Sequence, residues 1–329
     1  MAAQTATATM KAVVIHEAGG PHVLKIQRWP KPKPQVGQVL IRVKAFGLNR
    51  SELYTRQGHS PTVTFPRVLG IEAVGLVEES PGGEFNKDDI VATCMGGMGR
   101  MFDGGYAEYT CVPASQVMVI KKKIPWEQLG ALPEMLNTAW GSLFRSLRLR
   151  KDDHLLIRGG TTSVGLAAAV IAKNLGATVA ATTRKPDREA MLKANGADEV
   201  YIETGSIADE VKKRHPGKFS KVLELVGVST LKDTMQCVQD NGIVCLIGGT
   251  SGQWTIENFY PQDVIPTSIC LTTFGSSPAG FLAAPIEDLA QQLMDRKFPI
   301  KIFTLDQIVE AHQAMEDNSA LAKIVVLVD

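Results

Sequence analysis

A short apolar segment of this chain runs directly into a glycine-rich turn and an alanine-rich stretch. Residues 155–165 have the sequence LLIRGGTTSVG, and residues 166–175 continue as LAAAVIAKNL. The pattern predicts a strand, a tight turn at Gly159 and Gly160, and a helix whose first N–H groups have no partner and carry the positive end of the helix dipole. A pyrophosphate binds well at such a helix start, and Gly165 permits close packing of the helix on the strand. The residues predicted to bind it are Gly160, Thr161, Thr162, Ser163 and Val164.

The match to the pattern G-x-G-x-x-G is imperfect, because Thr161 and Thr162 stand where a further glycine would be expected. Their hydroxyls are candidates to donate to phosphate instead. The alternative is an ordinary turn between a strand and a helix. A strand, a turn, a helix and a second strand follow one another in a unit of the correct size, and this order favours a dinucleotide site.

The end of the second strand distinguishes between cofactors. An NAD enzyme usually carries Asp or Glu there to bind the ribose diol. Here the strand ends in Thr182-Thr183-Arg184-Lys185, and the first acid is Asp187. Arg184 and Lys185 can receive a 2′-phosphate, and Thr182 is predicted to line the same site. The alternative is that both cations are solvated residues at the start of a loop. The pattern predicts NADPH as the cofactor.

The secondary-structure pattern changes near Pro133. Residues 10–127 contain short β-like runs separated by Gly and Pro, which predict a small, mostly antiparallel β domain. Beyond Pro133, strands alternate with helical segments, which predicts a parallel sheet covered by helices. The predicted strands there are 154–158, 178–182, 200–202, 221–226, 243–247, 269–274 and 323–328, and the predicted helices are 164–175, 187–195, 231–238, 286–294 and 305–316.

Composition narrows the classes of function. Lys and Arg (35) nearly cancel Asp and Glu (34), so a surface that binds duplex nucleic acid is not expected. The five cysteines have no metal-clip spacing and predict neither a disulfide framework nor an oxidising compartment. No apolar stretch approaches the roughly 18–20 residues of a membrane span. Met1 to Thr9 are small and polar, which predicts a tail without a targeting signal and a cytoplasmic protein.

Several motifs together resemble one family. They are MKAVV at 10–14, GLNRSELYTRQG at 47–58, FPRVLGIE at 65–72, GGYAEY at 104–109 and AKIVV at 322–326. In this order and spacing, with the glycine-rich turn, they resemble the quinone oxidoreductases of the medium-chain dehydrogenase/reductase superfamily. The resemblance runs from Met10 to the C-terminus.

This resemblance implies an α/β fold with two domains. A GroES-like, β-rich catalytic domain is expected over residues 1–127 and 278–329. A Rossmann domain with a doubly wound parallel sheet, which binds NADPH, is expected over 128–277. A homodimer paired through Rossmann edge strands is usual in relatives, and the segment Trp254–Phe274 is apolar enough to allow it.

Zinc is not expected, although alcohol dehydrogenases of the superfamily hold a catalytic zinc with Cys and His and a second zinc with four Cys. The position that resembles the first catalytic ligand is Asn49. Ile71 replaces the histidine of the usual Gly-His-Glu, and the chain has no lobe of four closely spaced cysteines. The resemblance is therefore to the zinc-independent members.

The resemblance also implies site residues. Asn49 and Tyr54 are expected in the cleft beside the nicotinamide, with Tyr54 as the candidate donor to the substrate oxygen and Asn49 as a contact or only a brace for the loop. A packed Tyr54 with its hydroxyl at the surface is the alternative. Arg56 is expected at the surface, with a further polar contact in the cleft as the alternative. Lys323 is expected either near the cleft or at the surface. Thr138 is expected near the nicotinamide carboxamide. Two later strands are followed by Ile247-Gly248 and by Phe274-Gly275, and these four residues are expected at the carboxyl edge of the sheet, where the cofactor binds.

The predicted function is NADPH-dependent hydride transfer to a quinone or another conjugated carbonyl, without zinc. Such acceptors are already electrophilic, so a positioned hydride donor and one hydrogen-bond donor suffice. Two alternatives stay open: reduction of an activated carbon–carbon double bond in an enone or enoyl substrate, and a non-catalytic NADPH-binding protein. The partner in the first two cases is a small molecule.

Overall fold

The computed structural model describes residues 8–329, so residues 1–7 of the predicted polar tail lie outside the described part. The strands are β1 (Thr9–Ile15), β2 (Lys25–Pro30), β3 (Gln38–Gly47), β4 (Arg67–Val68), β5 (Glu72–Glu79), β6 (Ile90–Cys94), β7 (Tyr109–Pro113), β8 (Val117–Val119), β9 (His154–Arg158), β10 (Thr178–Thr183), β11 (Glu199–Ile202), β12 (Phe219–Glu224), β13 (Val238–Leu246), β14 (Cys270–Thr272), β15 (Ile300–Thr304) and β16 (Lys323–Leu327).

The helices are α1 (Arg50–Arg56), α2 (Trp126–Leu129), α3 (Pro133–Gly141), α4 (Ser163–Leu175), α5 (Glu189–Ala194), α6 (Ala208–Arg214), α7 (Val228–Gln236), α8 (Pro261–Val264), α9 (Pro278–Ala283), α10 (Ile286–Asp295) and α11 (Ile308–Glu316). A π-helical turn, Ser142–Ser146, follows α3. Short 3-10 turns lie at Pro21–Val23, Ala114–Gln116, Pro186–Arg188 and Leu305–Gln307. Within residues 8–329, no helix has the length and apolar character to cross a bilayer.

Among the described residues, the first compact unit comprises 8–134, 277–287 and 299–329. Its larger sheet has the strand order β15-β16-β3-β5-β6-β8, with β7 also paired to β3, and a smaller sheet has the order β2-β1-β4. The strand β3 carries antiparallel partners on both edges, β5 on one and β16 on the other. Because β16 lies at the end of the chain and β3 near its start, the unit closes only when the chain returns to it. This is the β-rich, GroES-like part of the predicted fold, which is confirmed.

The second unit comprises residues 135–276 and 288–298. Its six strands are all parallel in the order β11-β10-β9-β12-β13-β14, the 3-2-1-4-5-6 order of the doubly wound dinucleotide fold. The strands β9 and β12 are neighbours although three helices and two strands separate them along the chain. The strand order reverses between these two, and such sheets bind ligands outside the carboxyl ends of their strands at that point. The predicted Rossmann fold is confirmed.

Burial explains why the second unit forms as it does. The side chains of β9 from Leu155 to Arg158 are fully buried, as expected for a parallel strand covered on both faces. The helix α4 buries eight consecutive residues from Gly165 to Ala172, and its alanines let it lie close to the sheet. It ends at Gly176, whose φ of +102° is the left-handed conformation that closes many helices.

Candidate functional site

The glycine-rich turn joins β9 to α4. Gly159 has a φ of +87°, a conformation that glycine adopts without the steric cost of a side chain. Its N–H donates to Thr182 Oγ1 (3.0 Å), and the N–H of Gly160 donates to the carbonyl oxygen of Thr182 (3.1 Å). Thr182 is buried at the end of β10. Thr182 therefore attaches the turn to the neighbouring strand, and its hydroxyl is already used as an acceptor.

The start of α4 leaves donors for an anion. Thr162 caps the helix, since its hydroxyl donates to Gly159 O (2.9 Å) and accepts from the N–H of Gly165 (3.0 Å). In the described chain, 8–329, the N–H groups of Ser163 and Val164 have no protein acceptor. A Cβ on Gly165 would lie 2.7 Å from Gly159 O, so only glycine keeps the turn closed against the helix.

These features fit a dinucleotide pyrophosphate. Two unpaired N–H groups and the positive end of a thirteen-residue helix lie at the carboxyl edge of β9. The predicted residues Gly160, Thr161 and Thr162 form the turn itself, although the hydroxyl hydrogen of Thr162 is donated inside the turn rather than left for phosphate. The donors therefore suit an anion, and Thr162 and Thr182 hold the glycine-rich turn in the conformation that presents them.

The end of β10 presents two cations. Arg184 and Lys185 are exposed, and within the described part of the chain neither forms an ion pair. The N–H of Lys185 donates to Thr183 Oγ1 (3.2 Å), and Thr183 itself is buried. This local turn fixes the backbone at the two cations while their side chains stay available to an anionic group.

The remaining predicted contacts of the second unit lie at other loops. The N–H groups of Ile247 and Gly248 donate to the carbonyl oxygen of Glu224 (3.1 Å each). A Cβ on Gly248 would overlap the backbone of Leu225, so the loop after β13 needs glycine to approach the loop after β12.

Thr138 and Phe274 are brought together. The hydroxyls of Thr138 and Ser276 are 2.7 Å apart, and the ring of Phe274 packs on Gly141, one turn further along α3. Gly275, between Phe274 and Ser276, is exposed. The loop after β14 is thus held against α3, and the cofactor contacts of Thr138, Phe274 and Gly275 stay predictions.

In the first unit, Asn49 belongs to a buried polar cluster. Asn49 Nδ2 donates to Glu72 Oε1 (2.9 Å), and Lys323 Nζ donates to Asn49 Oδ1 (2.5 Å) and to Glu72 Oε1 (3.1 Å). Glu52 Oε1 accepts from the N–H of Ile71 (3.1 Å) and lies 3.4 Å from Asn49 Nδ2. We call Asn49, Glu52, Glu72 and Lys323 the Asn49 cluster. The surface interpretation of Lys323 is wrong, since the residue is 2% exposed.

The elements that build the Asn49 cluster come from distant parts of the chain. Asn49 immediately precedes α1, Glu72 begins β5, and Lys323 begins β16. A Cβ on Gly47 would lie within 3 Å of Lys323 Nζ, so glycine at the end of β3 leaves room for the ammonium group. The second carboxylate oxygen of Glu72 accepts the N–H of Glu134 (2.7 Å). Each oxygen of Glu72 therefore has a donor.

Zinc does not fit this arrangement. Structural and catalytic zinc sites use thiolate, imidazole and carboxylate ligands. At the two positions that resemble zinc ligands, the chain supplies an amide (Asn49) and an alkyl group (Ile71), and the Lys323 ammonium is already 2.5 Å from the amide oxygen. The positive charge of Lys323 would repel a zinc ion bound beside Asn49. Within residues 8–329 there is also no group of three or more His, Cys, Asp or Glu side chains arranged to hold a metal.

Tyr54 lies on α1, two residues after Glu52. It is half-buried, packs against the hydrophobic core of the first unit, and meets His59 edge-on with ring centroids 6.3 Å apart. On the same helix, Arg56 was expected at the surface, and this is wrong. Arg56 is fully buried, and its Nη2 donates to Glu316 Oε2 (2.6 Å). One face of α1 therefore carries two buried ionisable side chains, Glu52 and Arg56.

Burial raises the pKa of Glu52 from its ordinary value of 4.5 to about 8. The hydrogen bond from the Ile71 N–H lowers this pKa, but by less than burial raises it. The negative charge of Glu72 raises the same pKa further, and Lys323 lowers it. With a pKa of about 8, Glu52 is mostly protonated at pH 7 in the folded protein. In the unfolded chain the same group is ionised at pH 7.

We expect the Glu52 acid to make the folded protein less stable as the pH rises. Between pH 4.5 and about 8 the unfolded chain has released this proton and the folded protein retains it. The free energy of unfolding should therefore fall across this window by up to about 1.4 kcal/mol for each pH unit. Glu52→Gln cannot ionise and should remove this part of the slope. Urea unfolding of both proteins at several pH values measures it, and parallel slopes for the two would contradict the assignment.

Two buried residues beside the candidate cofactor site were not predicted from the sequence, Arg158 and Glu224. Both are fully buried at the carboxyl ends of neighbouring strands, β9 and β12. Glu224 Oε1 accepts the N–H groups of Val226 (2.6 Å) and Gly227 (3.0 Å), which fixes the loop after β12. The sequence feature that could have identified them is a single charged residue at the end of each apolar strand, Arg158 in LLIR and Glu224 in VLE.

Two family models match the chain. The alcohol dehydrogenase GroES-like domain matches residues 35–122, and the zinc-binding dehydrogenase model matches residues 163–288. The first match lies within the first unit and the second covers most of the second unit.

Individual proteins match over nearly the whole chain. The quinone oxidoreductase of Pongo abelii is 29% identical over 335 residues, covering 97% of this chain and 98% of that protein. The acryloyl-coenzyme A reductase of Sulfurisphaera tokodaii is 25% identical, covering 96% and 99%. A mycobacterial structure solved in complex with NADPH superposes with a TM-score of 0.82 at 25% identity, covering 97% and 99%.

Proposed function

Because this chain belongs to the quinone oxidoreductase family of the medium-chain dehydrogenase/reductase superfamily, we propose that it uses NADPH to reduce quinones or similar conjugated carbonyls, without zinc. Membership of this superfamily implies a nicotinamide cofactor and a small-molecule substrate. The choice of NADPH, the absence of zinc from the reaction and the class of acceptor are the parts that we propose.

The observation that carries the proposal is the pair of unpaired, exposed cations at the end of β10. Arg184 and Lys185 stand where an NAD enzyme has an acid, and both side chains are available to a 2′-phosphate. The unpaired N–H groups of Ser163 and Val164 are the donors for the pyrophosphate. The mycobacterial relative solved with NADPH supports the same choice.

The chemistry follows from these donors. When bound, the reduced nicotinamide would supply the hydride, and solvent or a nearby hydroxyl would supply the proton that completes the reduction. The residues of this chain hold the pyrophosphate at α4 and the 2′-phosphate at Arg184 and Lys185, and Tyr54 donates a hydrogen bond to the acceptor oxygen. No metal is needed to polarise a quinone, because the ring is already electrophilic. Within the Asn49 cluster, the positive charge that pairs with the buried carboxylate of Glu72 is the Lys323 ammonium group, and not a metal ion.

We expect Tyr54→Phe to lower turnover, by up to about a hundredfold with an enone and less with a quinone, which is easier to reduce. The substitution keeps the ring and its packing but removes the donor, and a bond that strengthens as charge develops affects turnover more than the KM of the acceptor. Turnover of both proteins at saturating NADPH measures this, with His59→Phe as a control for packing beside the ring. Equal turnover of Tyr54→Phe and wild type on both acceptors would give Tyr54 a purely structural role.

The main alternative is reduction of an activated carbon–carbon double bond. The similarity to an acryloyl-coenzyme A reductase favours it, since that protein's substrate is an enoyl thioester by name. The same hydride donor and the same hydrogen-bond donor serve both reactions, so the described residues do not separate them. A non-catalytic NADPH-binding protein is the third candidate.

Steady-state oxidation of NADPH by a quinone and by an enone tests the proposal. We expect turnover with the quinone, a preference for NADPH over NADH, and no loss of rate with a chelator. Turnover with the enone alone supports the alternative, and tight NADPH binding without turnover supports the non-catalytic candidate. Stoichiometric zinc by elemental analysis, with activity lost on chelation, would contradict the zinc-free reaction.

A homodimer and a cytoplasmic location stay predictions. The strand β14 is an edge strand of the six-stranded sheet, and the preceding segment exposes Trp254, Phe259 and Tyr260. An exposed edge beside exposed aromatic side chains suits pairing with a second copy.

A further inference from the structure

Arg158 is a fully buried arginine that touches no solvent, although it directly precedes the glycine-rich turn. All three of its nitrogens have acceptors. Nε and Nη2 donate to the two carboxylate oxygens of Glu203 (3.0 and 2.5 Å), and Nη1 donates to Asp233 Oδ2 (2.7 Å) and Thr234 Oγ1 (2.8 Å). Further bonds go to the carbonyl oxygens of Thr230 (3.2 Å) and Gly205 (3.3 Å). Burying a charge this completely is costly, so the surrounding bonds must compensate.

The acceptors of Arg158 belong to separate loops at the carboxyl edge of the sheet. Glu203 and Gly205 follow β11, and Asp233 lies on α7. Asp233 in turn accepts the N–H groups of Ile207 (3.0 Å) and Ala208 (3.3 Å) and the hydroxyl of Ser206, so it also anchors the start of α6. The guanidinium group therefore links the loop after β11 to α7.

A second path leads from Arg158 to the loop after β12. Thr234 Oγ1 accepts from Arg158 and donates to Glu224 Oε2 (2.5 Å). The other oxygen of Glu224 holds the N–H groups of Val226 and Gly227. Gly227 has a φ of +125°, a conformation that glycine adopts without the steric cost of a side chain. The N–H of Leu225 also donates to the carbonyl oxygen of Arg158 (2.9 Å).

We propose that Arg158 is a positioning residue of the cofactor site, which holds the loops after β11 and β12 in their binding conformation before NADPH arrives. It touches neither the cofactor nor the substrate. Loops fixed in advance lose less conformational freedom on binding, and the affinity is correspondingly higher. The inference rests on the proposed function in that NADPH is the ligand.

Charge balance supports this role. Burial lowers the pKa of Arg158, but hydrogen bonding and the negative charge of Glu203, with Glu224 and Asp233, outweigh it and raise that pKa above its ordinary value. Arg158 therefore remains a cation among carboxylates. Removing it would both release the loops and leave unbalanced negative charge beside a site that binds phosphates. A test must separate these two effects.

Four variants make this separation. Arg158→Met removes the charge and all donors, whereas Arg158→Lys keeps the charge but cannot make the paired contact with Glu203. Arg158→Met combined with Glu203→Gln removes one unbalanced carboxylate without restoring the links. Arg214→Met is the matched control, because Arg214 is an ion-paired arginine of the same unit whose partners are Glu199 and Glu210.

Two measurements decide the outcome. Fluorescence titration with NADPH should give a Kd about tenfold higher for Arg158→Met and for the double variant, an intermediate value for Arg158→Lys, and a change within about twofold for Arg214→Met. Turnover at saturating NADPH should change by no more than about twofold, because no reacting group is lost. Hydrogen exchange of the ligand-free proteins should be faster at residues 226–227 and 207–208 in Arg158→Met and in the double variant, and unchanged in Arg214→Met.

Contrary results are equally specific. A wild-type Kd for folded Arg158→Met, or full recovery of affinity in the double variant, would overturn the positioning role, the latter in favour of charge alone. If Arg158→Met fails to fold, unchanged affinity and exchange in Arg158→Lys would overturn it. If the wild type binds no NADPH, the proposed function fails, and the exchange measurement still decides whether Arg158 holds the loops.

Discussion

Lys323→Met is expected to lower the free energy of unfolding by about 3–5 kcal/mol, because it leaves a buried carboxylate without its cation. Lys323 and Glu72 are 2% and 0% exposed, and their charged atoms lie 3.1 Å apart. Methionine fills a similar volume, so lost packing contributes little. The remaining donors to Glu72 are neutral N–H groups from Asn49 and Glu134, which do not replace the charge.

A matched surface pair and a double variant test this account of Lys323. Lys193→Met removes an exposed ion pair with Glu189 and should change the free energy of unfolding by less than about 1 kcal/mol. Combining Lys323→Met with Glu72→Gln should recover part of the loss, since the unpaired charge is gone. Urea unfolding measures all four proteins. A loss for Lys323→Met no larger than that of Lys193→Met would mean that the buried pair does not stabilise the fold.

Local sequence patterns were sufficient for most of the second unit. The apolar strand, the glycine turn and the alanine-rich helix predicted β9, the turn and α4 to within a residue, because each depends on neighbours in the chain. The alternation of strands and helices predicted the parallel sheet for the same reason. The strand order required the resemblance, since the pairing of β9 with β12 spans more than sixty residues.

Ion pairs between residues far apart in the chain explain why the burial of Arg56 and Lys323 in the first unit was not predicted. Lys323 and Glu72 are 251 positions apart, and Arg56 and Glu316 are 260 apart. A lone charged residue in a helix or at a strand end is normally solvated, and the sequence shows no partner nearby. Arg56 was therefore expected at the surface. Only the return of the chain through α11 and β16 brings these partners to α1 and β5.

Hydroxyl groups in the turn show a second limit. Thr162 and Thr182 were predicted to contact the cofactor, and that part stays a prediction. Their side chains serve the turn itself, through bonds to Gly159 and Gly165 that depend on the three-dimensional path of the backbone. Residue type marks a position as polar, but geometry decides whether the polar atom faces a ligand or the protein.

Arg184→Ala is expected to weaken NADPH binding by about ten- to a hundredfold and NADH binding much less, because only NADPH carries the 2′-phosphate and a charge-assisted contact is worth about 1.5–3 kcal/mol. The side chain is exposed and has no ion pair within the described residues, so its removal should not disturb the fold. If Lys185 carries most of the interaction, the double substitution with Lys185→Ala will show the larger loss.

Fluorescence titrations with both cofactors, at two salt concentrations, measure the effect of Arg184. The wild-type preference for NADPH should shrink at high salt, since exposed charge pairs are screened over about 10 Å at 0.1 M. Lys212→Ala, which removes an exposed cation on α6 in the same unit, is the control and should leave the ratio of the two Kd values unchanged. Equal losses for NADPH and NADH in both the Arg184 variant and the double variant would show that these cations do not bind the 2′-phosphate, and the preference for NADPH would then lose its main support.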